Sequence, residues 1–284
     1  MTADSGSRGF TPFGPEDAAR FIAVPKDTDD KYSRGVLGVI TGSVEYPGAA
    51  VLGVEAAMHT GVGMVRYIGP SRASDLVLAR RPEVVTANGR VQAWLIGSGM
   101  DVEAGAGESL TAMNAAVGQP VPVILDGGAF ELHTATAGPT IITPHFRELA
   151  RVTGRSVDDI QSDPAGAAVA AAEALGVTVL LKGNTTYVAS PRGVRLSASS
   201  APAWTATAGA GDALGGILGA LVATHADEVA ADDGYLAHLG ATASVIHGLA
   251  AARTSGGGPF TILDLAGTVS VVVAELLGGR AGIR

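Results

Sequence analysis

Short, unbroken apolar runs alternate along the chain with longer stretches that carry helix signals. Val36-Leu37-Gly38-Val39-Ile40-Thr41 reads as a buried strand running into a tight turn at Gly42-Ser43. Pro47-Gly48-Ala49-Ala50 then opens a helix to about His59, since proline suits the first helical turn. Gly61-Val62-Gly63 stops it, and Met64–Gly69 reads as the next strand. Ala93–Ile96, Val121–Asp126 and Thr140–Thr143 are further strands, and a helix over roughly Val102–Val117 follows the first of them. An Ala-rich helix spans roughly Asp163–Leu175. Val177–Leu181 is a strand ending in Lys182-Gly183-Asn184, and Thr186–Ala189 returns as its partner. Helices then dominate, over Asp212–Ala223, Tyr235–Ala252 and Leu263–Leu277. Residues 1–30 read as a partly ordered lead-in with a short helix at Pro15–Ile22, and 31–284 as one domain.

Strands buried on both faces, alternating with helices, predict an α/β fold with a mostly parallel sheet covered on both sides. Ligands of such sheets lie beyond the carboxyl ends of the strands. Those ends carry Gly42-Ser43, Gly97-Ser98-Gly99, Asp126-Gly127, Pro144-His145 and Lys182-Gly183-Asn184.

Composition narrows the function classes. The 284 residues are 47% hydrophobic and 16% charged, enough for a large core, with a net charge of −8. No basic stripe is present and aromatics are few, which argues against nucleic acid as a partner. Anionic ligands have to be held locally, by amides and a few cations. There are no cysteines, which removes disulfide and thiol chemistry. No apolar run reaches membrane-spanning length and no signal peptide is visible, so the expected location is the cytoplasm.

Ala208-Gly209-Ala210-Gly211-Asp212 carries the strongest chemical signal. Small residues leading into a helix leave bare N–H groups that hold an anion, and an acid beside them invites a reaction at phosphate. The plain structural alternative is tight packing, with Asp212 as a favourable first-turn acid. Gly215, Gly216 and Gly219 continue the helix where glycine is costly, so some close approach demands them. Lys182-Gly183-Asn184-Thr185-Thr186 frames a nucleotide or is simply a hairpin turn. His145, with Glu148, is a strand-end ligand group or a surface histidine. Asp126 reads more readily as an N-cap than as a phosphate-side acid. The other histidines show no zinc spacing, and His247 reads as packing.

Taken together, Lys31–Gly35, Gly42-Ser43 with Tyr46-Pro47-Gly48-Ala49, Gly61-Val62-Gly63, Gly97-Ser98-Gly99, Leu125-Asp126, Thr143-Pro144-His145 with Glu148, Leu181-Lys182-Gly183 and Gly209-Ala210-Gly211-Asp212 resemble the ADP-dependent NAD(P)H-hydrate dehydratases. The resemblance covers roughly residues 31–280. It implies a ribokinase-like three-layer sandwich and a hydro-lyase that repairs hydrated NADH and NADPH (NADHX and NADPHX), consuming ADP (or ATP) with Mg2+ and giving AMP and phosphate.

By the same resemblance, Asp212 is the catalytic base. Lys182, Gly183, Asn184, Thr185, Thr186, Gly209, Ala210 and Gly211 bind the nucleotide. Ala49, Gly97, Gly99, His145 and Asp212 bind the hydrated dinucleotide, and no residue is expected to bind metal directly. A homotetramer and a separate epimerase acting in the same pathway are implied as well, since the chain has no evident room for an epimerase domain. The sequence departs from the family pattern at Phe146-Arg147, at Ser98 and over Ala201-Pro202-Ala203-Trp204. The rival reading is a ribokinase-like kinase acting on a small alcohol, such as a sugar or vitamin precursor.

Overall fold

The computed structural model describes residues 9–100 and 108–278. Among the described residues nine strands form one sheet: β1 (Thr11–Pro12), β2 (Val36–Ile40), β3 (Met64–Tyr67), β4 (Ala93–Ile96), β5 (Val123–Leu125), β6 (Thr140–Ile142), β7 (Thr178–Leu181), β8 (Thr186–Ala189) and β9 (Arg195–Ala198). Their order is β1-β9-β8-β7-β6-β5-β4-β2-β3, and only β8 runs against the rest. The helices are α1 (Pro15–Ala18), α2 (Gly48–Thr60), α3 (Ser71–Arg80), α4 (Glu108–Val117), α5 (Phe146–Thr153), α6 (Val157–Ser162), α7 (Pro164–Leu175), α8 (Ala210–Thr224), α9 (Ala226–Ala231), α10 (Tyr235–Ser255) and α11 (Ile262–Gly278).

Strand side chains alternate between two cores, as the pleat requires. Leu37, Val39, Leu95, Ile124, Ile141 and Leu180 face the layer of α2, α8, α10 and α11. Val36, Ile40, Ile96, Leu125, Ile142 and Val179 face α4, α5 and α7. This is the three-layer α/β sandwich expected from the alternation of apolar runs.

Several elements lie outside the sequence reading. Helices α3, α5, α6 and α9 and strands β1 and β9 are added, and a 3-10 turn over Gly127–Ala135 follows β5. The first residues of the helix expected over Val102–Val117 lie outside the described residues. The lead-in is also more than a lead-in: Thr11 and Pro12 pair with β9, and Phe13, Ala18 and Ile22 join the α10 core.

The order of strands fixes where a ligand can enter. The chain passes from β2 to β3 at one edge, then returns to place β4 on the other side of β2. Connections leave β2 and β4 toward opposite faces, with α2 on one and α4 on the other. A crevice therefore opens beyond their carboxyl ends, the switch-point position of open α/β sheets. It falls at Gly42 and at Gly97-Ser98-Gly99.

The costly glycines of α8 are explained by the same packing. A Cβ on Gly216 would lie 2.0 Å from the Gly53 carbonyl oxygen of α2, and one on Gly219 would lie 2.9 Å from Leu37. Backbone meets backbone here, which holds the first turn of α8 over the sheet edge. Gly216→Ala should lower unfolding free energy by about 2 kcal/mol or more, an overpacking cost. A urea midpoint unchanged from wild type would show that α2 and α8 can part without loss.

Candidate active site

Four adjacent strand ends build the centre of the site. Ser98 follows β4, Asp126 follows β5, Thr143 follows β6 and Lys182 follows β7. Asp126 is 6% exposed and fully engaged. Its carboxylate accepts from Ser98 Oγ at 2.8 Å, from Thr143 Oγ1 at 2.7 Å and from Lys182 Nζ at 2.9 Å. Burial pushes this carboxyl up, but Lys182 and the three hydrogen bonds outweigh it and hold it below the usual range. Asp126 occupies the N-cap position of the following turn, yet its side chain makes no cap bond. The capping role favoured from sequence is therefore replaced by a buried ion pair.

Lys182 is placed by its backbone. Its N–H donates to Pro144 O at 2.8 Å, which bridges the ends of β6 and β7 and brings His145 alongside. His145 caps α5: its Nδ1 accepts from the Glu148 N–H at 3.2 Å, and Glu148 Oε2 accepts from the His145 N–H at 2.7 Å. The same carboxylate lies 3.7 Å from Lys182 Nζ. Burial disfavours the charged amine, and Asp126, Glu148 and Asp212 together more than offset that, leaving Lys182 firmly protonated. Phe146, one of the departures from the family pattern, comes 3.1 Å from where a Cβ on Gly183 would lie and covers that turn, while Arg147 is exposed.

Asp212 stands in the first turn of α8. Gly209 caps that helix at φ +92, a left-handed conformation, and a Cβ there would meet Leu52 at 2.6 Å. The first bond of the helix runs from the Ala213 N–H to Gly209 O at 3.1 Å, so the amides of Gly211 and Asp212 lie ahead of the ladder. Burial pushes the Asp212 carboxyl up to about 7, with the Asp126 charge adding to the rise and Lys182 opposing it. Two acids share the site, and their surroundings drive them apart.

Beside this centre lies a cavity of about 780 Å³. Lys182, Gly183, Asn184, Thr186, Ala210 and Gly211 line it, as does His145. Thr185 instead shares a 2.8 Å hydrogen bond with Ser199, tying the turn to the end of β9. Ala49, Gly97 and Gly99 form a second patch, at the switch point. Gly99 sits at φ +66, and a Cβ there would lie 2.4 Å from Ala49 Cβ, so only glycine fits. The Gly42 N–H donates to Ser98 O at 2.7 Å and joins the two turns. Sequence reasoning missed Ser98, Thr143 and the engagement of Asp126. The signal was a polar residue within two positions of the end of four adjacent strands.

The profile of the NAD(P)H-hydrate dehydratase family matches residues 37–257. The chain belongs to this family. It is 43% identical over 225 residues to a bifunctional NAD(P)H-hydrate repair enzyme of Mycobacterium tuberculosis, a match over 75% of this chain and 46% of that protein. The chain thus spans less than half of the relative's length. It is 34% identical over 229 residues to an ADP-dependent (S)-NAD(P)H-hydrate dehydratase of Neisseria meningitidis, covering 72% of this chain and 76% of the relative. The crystal structure of the Bacillus subtilis ADP/ATP-dependent NAD(P)H-hydrate dehydratase, grown with ATP and Mg2+, superposes with a TM-score of 0.80 at 25% identity, over 93% of this chain and 98% of that one. The fold of this family is the one described above. No helix among the described residues is long and apolar enough to cross a membrane.

The raised Asp212 carboxyl has a consequence for stability. Unfolded aspartate loses its proton near 3.9, whereas here it holds it to about 7. Between these values the folded state binds the extra proton, so stability falls as pH rises through that window. Asp212→Asn has no proton to lose. Its stability advantage over wild type should grow by about 2 kcal/mol between pH 5.5 and 8.5 in urea titrations. A gap that stays constant with pH would show that the carboxyl is not perturbed.

Proposed function

We propose that the chain dehydrates NADHX and NADPHX to NADH and NADPH in an ADP-dependent reaction that releases AMP and phosphate. The observation that carries this reading is the position of Asp212. It follows the cavity-lining Gly211, and its carbonyl lies against Gly53 of α2, the helix that opens with Ala49 at the switch-point patch. It is a carboxyl poised near 7, the range in which a general base works best at neutral pH.

In this reading the cavity holds ADP. Lys182 through Thr186 flank the nucleotide, and the amides of Gly209 and Gly211 face the phosphoryl group in flight, while that of Ala210 donates to Thr207 O at 3.4 Å. The hydrated nicotinamide ring enters at the switch point, against Ala49, Gly97 and Gly99, with His145 at the rim. Asp212 takes the proton of the ring hydroxyl. The freed oxygen attacks the β-phosphorus of ADP, and the bond to AMP breaks. The phosphate ester then loses phosphate, and the adjacent ring carbon gives up a proton to water as the ring double bond re-forms. Phosphoryl transfer asks the protein mainly for positioning and charge stabilisation. Lys182 supplies a cation, and its grip on Asp126 keeps a second negative charge from crowding the phosphates.

Magnesium is assigned to the nucleotide; the Bacillus subtilis crystals were grown with ATP and Mg2+. Among the described residues no three His, Cys, Asp or Glu side chains converge to hold a metal. The ion therefore fits as a counter-charge on the phosphates, where Mg2+ usually keeps several waters. A cytoplasmic homotetramer that works beside an NAD(P)HX epimerase completes the proposal.

The test is recovery of NADH absorbance from NADHX with Mg2+ and either ADP or ATP. Asp212→Asn should lose roughly two decades or more of turnover with nucleotide affinity nearly intact. In the wild type, kcat/KM should rise with pH to a plateau above about 7, a step absent from the variant. No recovery with either nucleotide, together with phosphorylation of another alcohol, would replace this reading with a kinase.

A further inference from the structure

Helix α5 starts at the cavity with an unusual cap. Ser, Thr, Asp and Asn hold the N-cap position best, yet here it is His145. The ring Nδ1 accepts from the Glu148 N–H at 3.2 Å, and the Glu148 carboxylate accepts from the His145 N–H at 2.7 Å, which completes a capping box. Residues 145 and 148 alone make the box, so Phe146 and Arg147, where the sequence departs from the family pattern, leave it intact.

The box decides where the imidazole proton sits. A backbone N–H can only donate, so the Nδ1 that receives it carries no proton, and in the neutral ring the proton is on Nε2. The His145 side chain is 51% exposed and lines the cavity, so this N–H is open to a ligand. The Glu148 carboxylate also lies 3.7 Å from Nδ1 and 3.7 Å from Lys182 Nζ, which ties the ring and the lysine to one residue. An asparagine at 145 would cap the helix at least as well, but its shorter amide would not extend to the position of Nε2. The histidine therefore offers something beyond a cap, a donor carried outward from the helix start.

We propose that Glu148 is a positioning residue which, through the capping box of α5, fixes His145 as an Nε2–H donor to an oxygen of the bound ligand. The inference deepens the dehydratase reading and rests on it. A ring fixed in this form has no lone pair on its outer edge. It holds a substrate oxygen in place and takes up no proton, so the proton released by the ring carbon of the substrate passes to water. The donor is also neutral. Lys182 beside it is already engaged by Asp126 and Glu148, and His145 adds a contact to the ligand without adding a charge.

Nitrogen NMR of the imidazole reads the tautomer in the ligand-free full chain, at a pH of about 8, above the ordinary histidine value. Wild type should show a bare Nδ1 and a protonated Nε2, and Glu148→Ala should admit the other tautomer. Recovery of NADH from NADHX reads the consequence. Glu148→Ala should lose about tenfold in kcat/KM, the worth of one hydrogen bond, and Glu148→Gln, which can close the same box, should recover most of that loss. His145→Asn should melt no lower than wild type yet lose about tenfold as well, because it caps the helix without reaching the ligand. A proton on Nδ1 in the wild type would overturn the proposal, and so would full turnover in His145→Asn. Equal losses in Glu148→Ala and Glu148→Gln would overturn it too, by assigning Glu148 to the charge balance of Lys182. If Glu148→Ala does not fold, His145→Asn and the wild-type spectrum carry the test. Wild-type protein with the expected tautomer that restores no NADH would refute the dehydratase reading and leave the positioning role standing.

Discussion

The Lys182–Asp126 pair is the interaction on which the site depends. Two opposite charges sit 2.9 Å apart beneath the carboxyl edge of the sheet. Buried pairs of this kind give little net stability, but removing one partner strands the other at a cost of several kcal/mol. Here the pair is completed by Ser98 and Thr143, so the carboxylate has no free oxygen left to share. Its consequence is chemical. With Asp126 committed as an anion, the second acid of the site, Asp212, meets both burial and a neighbouring negative charge. The two carboxyls are driven to opposite sides of their ordinary value, which on the proposed reading separates a structural anion from a working base.

The fold supplies this chemistry through direction alone. All strands but β8 run parallel, so their carboxyl ends share one edge. Four strands in a row then deliver Ser98, Asp126, Thr143 and Lys182 to one point with no need for a long loop. Asp212 comes from a different layer. Its height above the edge is set by the glycine contact between α8 and α2, where Gly216 lets backbone touch backbone. A sheet edge fixes one acid and a helix contact fixes the other, and the two meet because both elements are rigid.

What was legible in the sequence follows the same division. Strands buried on both faces leave continuous apolar runs, so β2, β4 and β7 were visible within a residue or two. Strand β9, Arg195-Leu196-Ser197-Ala198, is half polar and gives no such run, and β1 is too short to give any. Helix α5 is capped by His145 instead of Ser, Thr, Asp or Asn, so its start carried no familiar mark. Asp126 reads as a cap because it does hold the cap position. Only the sheet order, which spacing along the chain does not encode, places it beside Lys182. His247 was read as packing because its helix is buried around most of its circumference.

On the proposed reading, the charge of the chain constrains how the cavity can hold a diphosphate. The protein carries a net charge of −8, and Lys182, the cation at the cavity, already faces Asp126 and Glu148. Little positive charge is left over for the ligand. Its phosphates must rely on the amides at the start of α8 and on the metal they bring with them. Those contacts matter most when charge moves in the transition state, so they raise turnover more than ground-state affinity. Binding energy for the nucleotide has to come from elsewhere on the molecule, and the part farthest from the reacting atoms is its nucleoside. On that reading the apolar end of the cavity, between α10 and the segment after β9, holds the ligand while Asp212 acts at the other end.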